Sequence, residues 1–268
     1  MSECTHNCST CKEKCSHEIE FFDLHEGSKI KNIIGILSGK GGVGKSLVTS
    51  LIASKMAKLG YKVGILDADI TGPSIPKSFG LNEQVYGDEL GIYPAITKEG
   101  IKIMSVNLLV DDPNRPVIFR GPALGGLIKQ FYSDVMWGEL DYLFIDMPPG
   151  TSDVTLTVFQ QIPIDGVIMV STPQDLVKMM VKKSLNMANI LKVKVLGIVE
   201  NMSYVKCPTC NERIEIFGPS QVLEVAREFN LKVLATLPID TKIREHVDKG
   251  EIYSFECYEL DNLVKEII

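Results

Sequence analysis

No segment of this chain approaches the roughly 20 uninterrupted apolar residues that a helix needs to cross a bilayer, so the sequence predicts no membrane span. Positive charge is not in excess either. Lys and Arg number 28 against 34 Asp and Glu, for a formal net charge of −6 and a pI near 5.4. Without a broad basic field, nucleic-acid backbone and anionic lipid surfaces are poor default partners. No apolar run of signal-peptide length precedes Asn32, and there is no internal repeat or low-complexity tract. The expected compartment is the cytoplasm. A reducing pool there keeps thiols free, so closely spaced cysteines read as metal ligands or redox groups rather than disulfides.

The chain has 268 residues, of which 45% are hydrophobic, enough for the core of one large α/β domain. Residues 1–30 are polar, cysteine-rich and free of apolar periodicity, and read as a flexible appendage. Residues 31–268 read as the main domain, with a small polar excursion at about 204–214. Short Ile- and Val-rich runs recur at Ile33 to Leu37, Val63 to Leu66, Tyr142 to Ile145, Val167 to Val170, Val195 to Val199 and Val233 to Leu237. Strands buried on both faces have this appearance. The segments Ser46 to Leu59, Ala123 to Val135 and Leu176 to Leu191 are long enough for helices, and Tyr258 to Ile268 reads as a short closing helix. The alternation predicts an α/β fold, a doubly wound and mainly parallel sheet with helices on both faces, whose ligands bind at the carboxyl ends of the strands.

Gly39-Lys40-Gly41-Gly42-Val43-Gly44-Lys45-Ser46 satisfies G-x-x-x-x-G-K-S between a predicted strand and a predicted helix, and Leu47 continues into that helix. Glycines let successive backbone N–H groups curl toward phosphate oxygens, and the helix N-terminus adds partial positive charge. Lys45 is expected on the β and γ phosphates of ATP, and the Ser46 hydroxyl on Mg²⁺. Asp67 and Asp69 follow the predicted strand Val63 to Leu66, and Asp146 ends the predicted strand Tyr142 to Ile145. Asp146 is assigned to the Mg²⁺ shell, because a hard cation prefers carboxylate oxygen. Asp67 reads as a metal-side helper, or as a plain cap of the following segment. Asp146-Met147-Pro148-Pro149-Gly150-Thr151 reads as a switch loop whose Gly150 N–H senses the γ-phosphate.

Cys207-Pro208-Thr209-Cys210 offers two thiolates where tetrahedral zinc and a 4Fe–4S cluster each want four. A homodimer supplies the other two by symmetry; a zinc knuckle within one chain and a redox dithiol are the rivals. Seven cysteines in 268 residues would place about 0.3 in a twelve-residue window, yet Cys4, Cys8, Cys11 and Cys15 share one. They are candidate ligands for a 4Fe–4S cluster or zinc, with His6 and His17 near enough to compete, or a metal-free tail. Cys257 reads as a buried packing residue.

Lys40 occupies the position of the signature lysine in the deviant Walker A pattern K-G-G-x-x-K-[ST], which resembles the division holding the Min and Par positioning ATPases, the nitrogenase iron protein and the Mrp-type carriers. The resemblance implies that Lys40 crosses to a partner's phosphates, a cation supplied in trans to developing charge. It also implies that Asp69 orients the attacking water, and that Asn201 and Pro238 hold base and ribose. Together with Asp67 to Ser74, Arg120-Gly121-Pro122, Ser171-Thr172-Pro173-Gln174, Glu200-Asn201-Met202-Ser203 and the Cys-Pro-Thr-Cys pair, the chain resembles the Mrp-type (ApbC-like) iron–sulfur carrier ATPases over about residues 30–260. That family likeness implies an ATPase whose homodimer holds a labile 4Fe–4S cluster through Cys207 and Cys210 and delivers it to apo iron–sulfur proteins. The alternatives are a Min- or Par-type positioning switch and an ATP-gated electron donor. Against the first, residues 260–268 carry a single basic residue, Lys265, beside Asp261 and Glu266.

Overall fold

The computed structural model describes residues 21–70, 72–110 and 121–268. Cys4, Cys8, Cys11 and Cys15 lie outside the described residues, as do Thr71 and Arg120.

Among the described residues, eleven strands and eight α-helices follow in chain order. β1 (Lys29–Ser38), α1 (Lys45–Lys58), β2 (Val63–Asp67) and α2 (Ile75–Ser78) come first. Four short strands succeed them: β3 (Gly87–Asp88), β4 (Gly91–Ile92), β5 (Ala95–Ile96) and β6 (Lys102–Met104). α3 (Gly121–Ser133), β7 (Glu139–Asp146), α4 (Asp153–Gln161), β8 (Gly166–Ser171) and α5 (Asp175–Ile190) form the middle. The chain ends with β9 (Val195–Lys206), β10 (Arg213–Ile214), α6 (Val222–Glu228), β11 (Val233–Pro238), α7 (Thr241–Lys249) and α8 (Asp261–Ile267).

The main sheet runs β10-β9-β8-β1-β7-β2-β6-β5, with β11 paired to β9. Its pairs from β9 to β6 are parallel, and so is β9 with β11; only the fringes β10 on β9 and β5 on β6 are antiparallel. All six expected strands are present. The pleat sends alternate side chains into two separate cores. Ile33, Leu37, Val167 and Met169 join Phe131, Val158 and Leu185 on one face. Ile34, Ile36, Ile168 and Val170 join Leu51, Ile52 and Leu263 on the other. Both faces being covered is why these runs carry no polar alternation. Each fully buried Val, Ile or Leu contributes about 1.5–3 kcal/mol, so the sheet centre is the stable platform on which strand-end loops are mounted.

β1 lies between β7 and β8, while the chain leaving β1 passes through α1 to β2. Strand order therefore reverses around β1, and the loop after it opens at the crevice where such sheets bind ligands. Two elements differ from the sequence expectation. β9 does not stop near Val199 but runs on to Lys206 and folds back through β10, with Arg213 opposite Lys206 and Ile214 opposite Val205. The polar excursion is thus a projecting antiparallel hairpin. The small strands between Gly87 and Met104 were not anticipated, because two- and three-residue strands are too short to display a period.

Candidate functional site

Gly44 precedes α1 in the left-handed region, φ 82°, and no side chain caps the helix. The N–H groups of its first turn are therefore presented to whatever occupies the loop. Gly42 is also left-handed, φ 80°. At Gly44 a Cβ atom would stand 2.2 Å from Asn201 Nδ2, so glycine is required for space as well as conformation. The Asn201 amide donates to Val43 O at 2.9 Å and fastens the phosphate loop to the end of β9.

Lys45 is only 6% exposed and is enclosed by carboxylates: Asp146 Oδ2 lies 2.8 Å from its ammonium and Asp69 Oδ2 3.5 Å away. Asp146 is wholly buried at the end of β7, where it also accepts from Ser46 Oγ at 2.5 Å and from Thr49 Oγ1 at 2.8 Å. Lys45, Ser46 and Thr49 lie on the first two turns of one helix, and one strand-end carboxylate serves all three. This donor set fits Mg²⁺, a hard cation that takes few protein ligands and keeps water in its remaining positions. Thr49 was missed by the sequence reading. Its signal was positional, three residues beyond Ser46 and therefore on the same helix face.

Asp67 ends β2 in register with Asp146, and its own hydrogen bonds go to the other side. Its Oδ2 accepts from Ser105 Oγ at 3.1 Å, and its Oδ1 accepts the Asp69 N–H at 3.3 Å. Burial, then the neighbouring Asp146, push its carboxyl up to about 8, while Lys45 and the Ser105 hydroxyl pull the other way. Asp67 is thus the proton-holding member of a crowded acidic cluster, and its Asp69 contact resembles a turn-forming cap. The Gly150 N–H, expected to sense γ-phosphate, donates to Ser38 O at 2.7 Å, so reaching a phosphate requires exchange of that bond.

A cleft of about 640 Å³ connects these groups, lined by the whole loop from Lys40 to Leu47, by Asp69, Asn201 and Pro238, and by Ile243, Arg244 and Val247 of α7. Of the expected positions, Lys40 to Leu47, Asp69, Asn201 and Pro238 share this opening, whereas Gly39, Asp67, Asp146 and Gly150 do not line it. Lys40 lines it too, with its ammonium bonded to Gln174 Oε1 at 2.9 Å.

The two cysteines stand elsewhere, on the turn between β9 and β10. Cys207 N–H donates to Glu212 O and Asn211 N–H to Cys207 O, both at 2.9 Å. Asn211 takes the left-handed conformation that closes so tight a turn, φ 59°. The backbone N–H of Cys210, and then that of Thr209, point at the Cys207 sulfur and hold its thiol below the usual range. Cys210 is exposed and Cys207 half-buried. Cys257, by contrast, is buried under α1 and pushed up to about 12 by burial. No group of three or more His, Cys, Asp or Glu able to hold a metal occurs among the described residues.

Comparison with known proteins agrees with this arrangement. The family described as ParA, NUBPL iron-transfer P-loop NTPase, matches residues 29–268. An iron–sulfur cluster carrier protein of Methanocaldococcus jannaschii is 46% identical, with 100% of this chain and 97% of the relative aligned. A cytosolic Fe–S cluster assembly factor of Kluyveromyces lactis is 44% identical over 87% of this chain and 86% of its own. A solved nucleotide-binding protein from Archaeoglobus fulgidus, in complex with ADP, superposes with a TM-score of 0.77 at 44% identity, covering 87% of this chain and 91% of that one. The cell-division ATPase MinD of Pyrococcus furiosus shares the fold, with a TM-score of 0.60 at 19% identity over 88% of this chain and 98% of that one. On the match across its described fold and the identity to these relatives, the chain belongs to the NUBPL iron-transfer P-loop NTPases of the ParA group.

Proposed function

We propose that this protein is a cytoplasmic ATP-binding and hydrolysing iron–sulfur carrier. It assembles a labile 4Fe–4S cluster between two copies of itself through Cys207 and Cys210, and hands it to apo-proteins. The observation that carries the reading is the half-site on the β9–β10 turn. Two thiols project from a hairpin tip, one of them eased toward thiolate by backbone N–H groups, and no third ligand accompanies them among the described residues. A four-thiolate cargo is completed by a second copy across a two-fold axis. Zinc is the competing occupant, and elemental analysis separates the two.

In the nucleotide cleft, Lys45 and the first-turn N–H groups of α1 hold the phosphates, while Ser46 and Asp146 are the groups that would hold Mg²⁺. When bound, Mg²⁺ neutralises charge developing on the transferred phosphoryl group. Asp69, half-buried at the mouth of the loop, orients the attacking water, and Lys40 reaches into the partner's site. The ATPase domain begins earlier than the expected boundary after residue 30, since β1 starts at Lys29, Phe22 N–H donates to Gln161 O at 2.7 Å, and Phe22, Leu24 and Ile30 pack on the core; the cysteine-rich segment before it lies outside the described residues.

Anaerobic reconstitution followed by iron and sulfide analysis tests the reading. The wild-type protein is expected to take up four irons and four sulfides per two chains, and the double substitution Cys207→Ser, Cys210→Ser to lose them. Uptake that survives the double substitution, with the N-terminal cysteines also replaced, would refute the assignment.

A further inference from the structure

β9 carries the chain from the sheet core to the cysteine turn, with a shift in its pairing to β11 between Glu200 and Tyr204, and one buried carboxylate lies where it leaves the core. Glu200 is 4% exposed, paired in register with Ser171 of β8 on one side and with Thr236 of β11 on the other. Ser203 Oγ donates to its Oε2 at 2.7 Å, and Ser220 Oγ donates to its Oε1. The Ser220 hydroxyl in turn accepts the Val222 N–H at 3.1 Å, at the start of α6. The chain leaving the core at Ser203 and the chain returning at Ser220 are therefore held by the two oxygens of a single side chain. Cys207 and Cys210 lie on the excursion between those two feet. The next residue along is Asn201, whose amide holds Val43 of the phosphate loop, and Met202 follows in the left-handed region at φ 56°. A non-glycine residue in that region keeps it only where its surroundings fix it.

We propose that Glu200 is a positioning residue that ties the phosphate loop to the cysteine hairpin, so that rearrangement of the loop on nucleotide exchange is felt at Cys207 and Cys210. The inference rests on the proposed use of the two cysteines, though not on what they bind. A carboxylate suits this place because both of its oxygens accept, and charge-assisted bonds to hydroxyls resist exchange. An amide would keep one acceptor and turn a donor toward the other hydroxyl. The path from Val43 through Asn201 to Glu200 and both feet of the hairpin is a contiguous network of the kind that carries coupling between sites.

Alkylation of the full-length protein by iodoacetamide, followed residue by residue with peptide mass spectrometry, measures this directly. Rates at Cys207 and Cys210 are compared between Mg–ADP and a non-hydrolysable ATP analogue with Mg²⁺, and buried Cys257 serves as the internal reference. The wild-type rates are expected to differ between the two nucleotides by about fivefold, the low end of measured couplings. Glu200→Gln and Ser220→Ala are expected to bring that ratio close to one while fluorescent-nucleotide affinity stays near the wild-type value. A wild-type ratio of one overturns the proposal, as does a nucleotide response preserved in Ser220→Ala. Loss of nucleotide affinity in both variants also overturns it, because Glu200 would then serve the pocket itself. Iron and sulfide content of the same preparations separates the two readings. A protein that binds cluster without nucleotide-responsive thiols keeps the carrier function and loses the coupling. Responsive thiols without cluster give the reverse.

Discussion

Thr49→Val removes one oxygen from the centre of the nucleotide site and changes almost nothing else. Thr49 is fully buried, and its hydroxyl serves Asp146 Oδ1 at 2.8 Å, while Lys45 and Ser46 serve Oδ2 at 2.8 and 2.5 Å. Valine fills the same volume, so no cavity opens and the cost is that of a buried carboxylate oxygen losing its donor. Hydrogen bonds to charged groups are worth about 1.5–3 kcal/mol, and a group left unsatisfied in the interior costs its full desolvation. The Thr49 hydroxyl also approaches Lys45 O at 3.0 Å, but that carbonyl already belongs to the helix ladder, so its loss adds little. The expected destabilisation is about 2 kcal/mol, equivalent to roughly 4–8 °C in Tm for a domain of this size. Urea unfolding gives the free energy, and Thr49→Ser, which restores the hydroxyl, separates hydrogen bonding from packing. Equal stability of Thr49→Val and wild type, within about 0.5 kcal/mol, would show that Asp146 is satisfied without Thr49.

Gly44→Ala places a methyl group against Asn201 Nδ2 in a left-handed backbone, and nucleotide affinity measured by calorimetry is expected to fall by two orders of magnitude or more, about 3 kcal/mol. Asp67, raised to about 8 by burial and Asp146, holds a proton in the folded state that the unfolded chain releases. Its contribution to stability is therefore fully present below the unfolded value near 3.8 and is lost as pH rises through about 8. The stability of Asp67→Asn relative to wild type should accordingly increase from acid to alkaline pH, and identical pH profiles in urea unfolding would contradict this. In the metal-free protein Cys207, eased toward thiolate, should react with iodoacetamide well before buried Cys257, and the reverse order would refute the assigned surroundings.

The central strands and the phosphate loop were legible in the sequence because each rests on a local rule. Runs such as Val167 to Val170 are buried on both faces, and Gly39 to Ser46 must supply glycine, lysine and hydroxyl at fixed spacing whatever surrounds them. What escaped detection depends on partners distant in the chain. Thr49 matters through Asp146, Ser105 through Asp67, and Ser220 through Glu200, and no periodicity marks a hydroxyl whose acceptor lies tens of residues away. The cysteine pair was visible as chemistry but not as geometry. That Cys207 and Cys210 crown an antiparallel hairpin follows from β9 outrunning its neighbours, and its last residues, Met202 to Lys206, carry too mixed a pattern to be read as strand from sequence. Asp67 was read as a metal-side group because it ends a strand beside the loop; the depth that raises its carboxyl depends on the packed sheet and has no local signal.

The lysine proposed to act in trans is held in cis. Lys40 Nζ donates to Gln174 Oε1 at 2.9 Å, and Gln174 directly precedes α5, whose Met180 and Val181 backbone atoms would lie 2.8 Å from a Cβ placed on Gly39. The phosphate loop and α5 are thus in close register, and Lys40 must exchange this bond before it can reach a second protomer. Exchange of a partly exposed hydrogen bond to a charged group costs about 1 kcal/mol, which is about fivefold in an equilibrium constant. Gln174→Ala removes that cost from the single chain and leaves the partner-facing state unchanged. Each of the two protomers sheds one such bond, so the factor is squared, and the protein concentration at half-maximal ATP turnover should drop about 25-fold while turnover at saturating protein is retained. An unchanged concentration dependence would mean that Gln174 follows Lys40 into the dimer, or that Lys40 acts within its own chain. Lys40→Ala decides between these. Mixed with Asp69→Asn subunits, which are inactive in their own pocket but keep Lys40, Lys40→Ala subunits should regain turnover if the cation crosses, and should stay inactive if it does not.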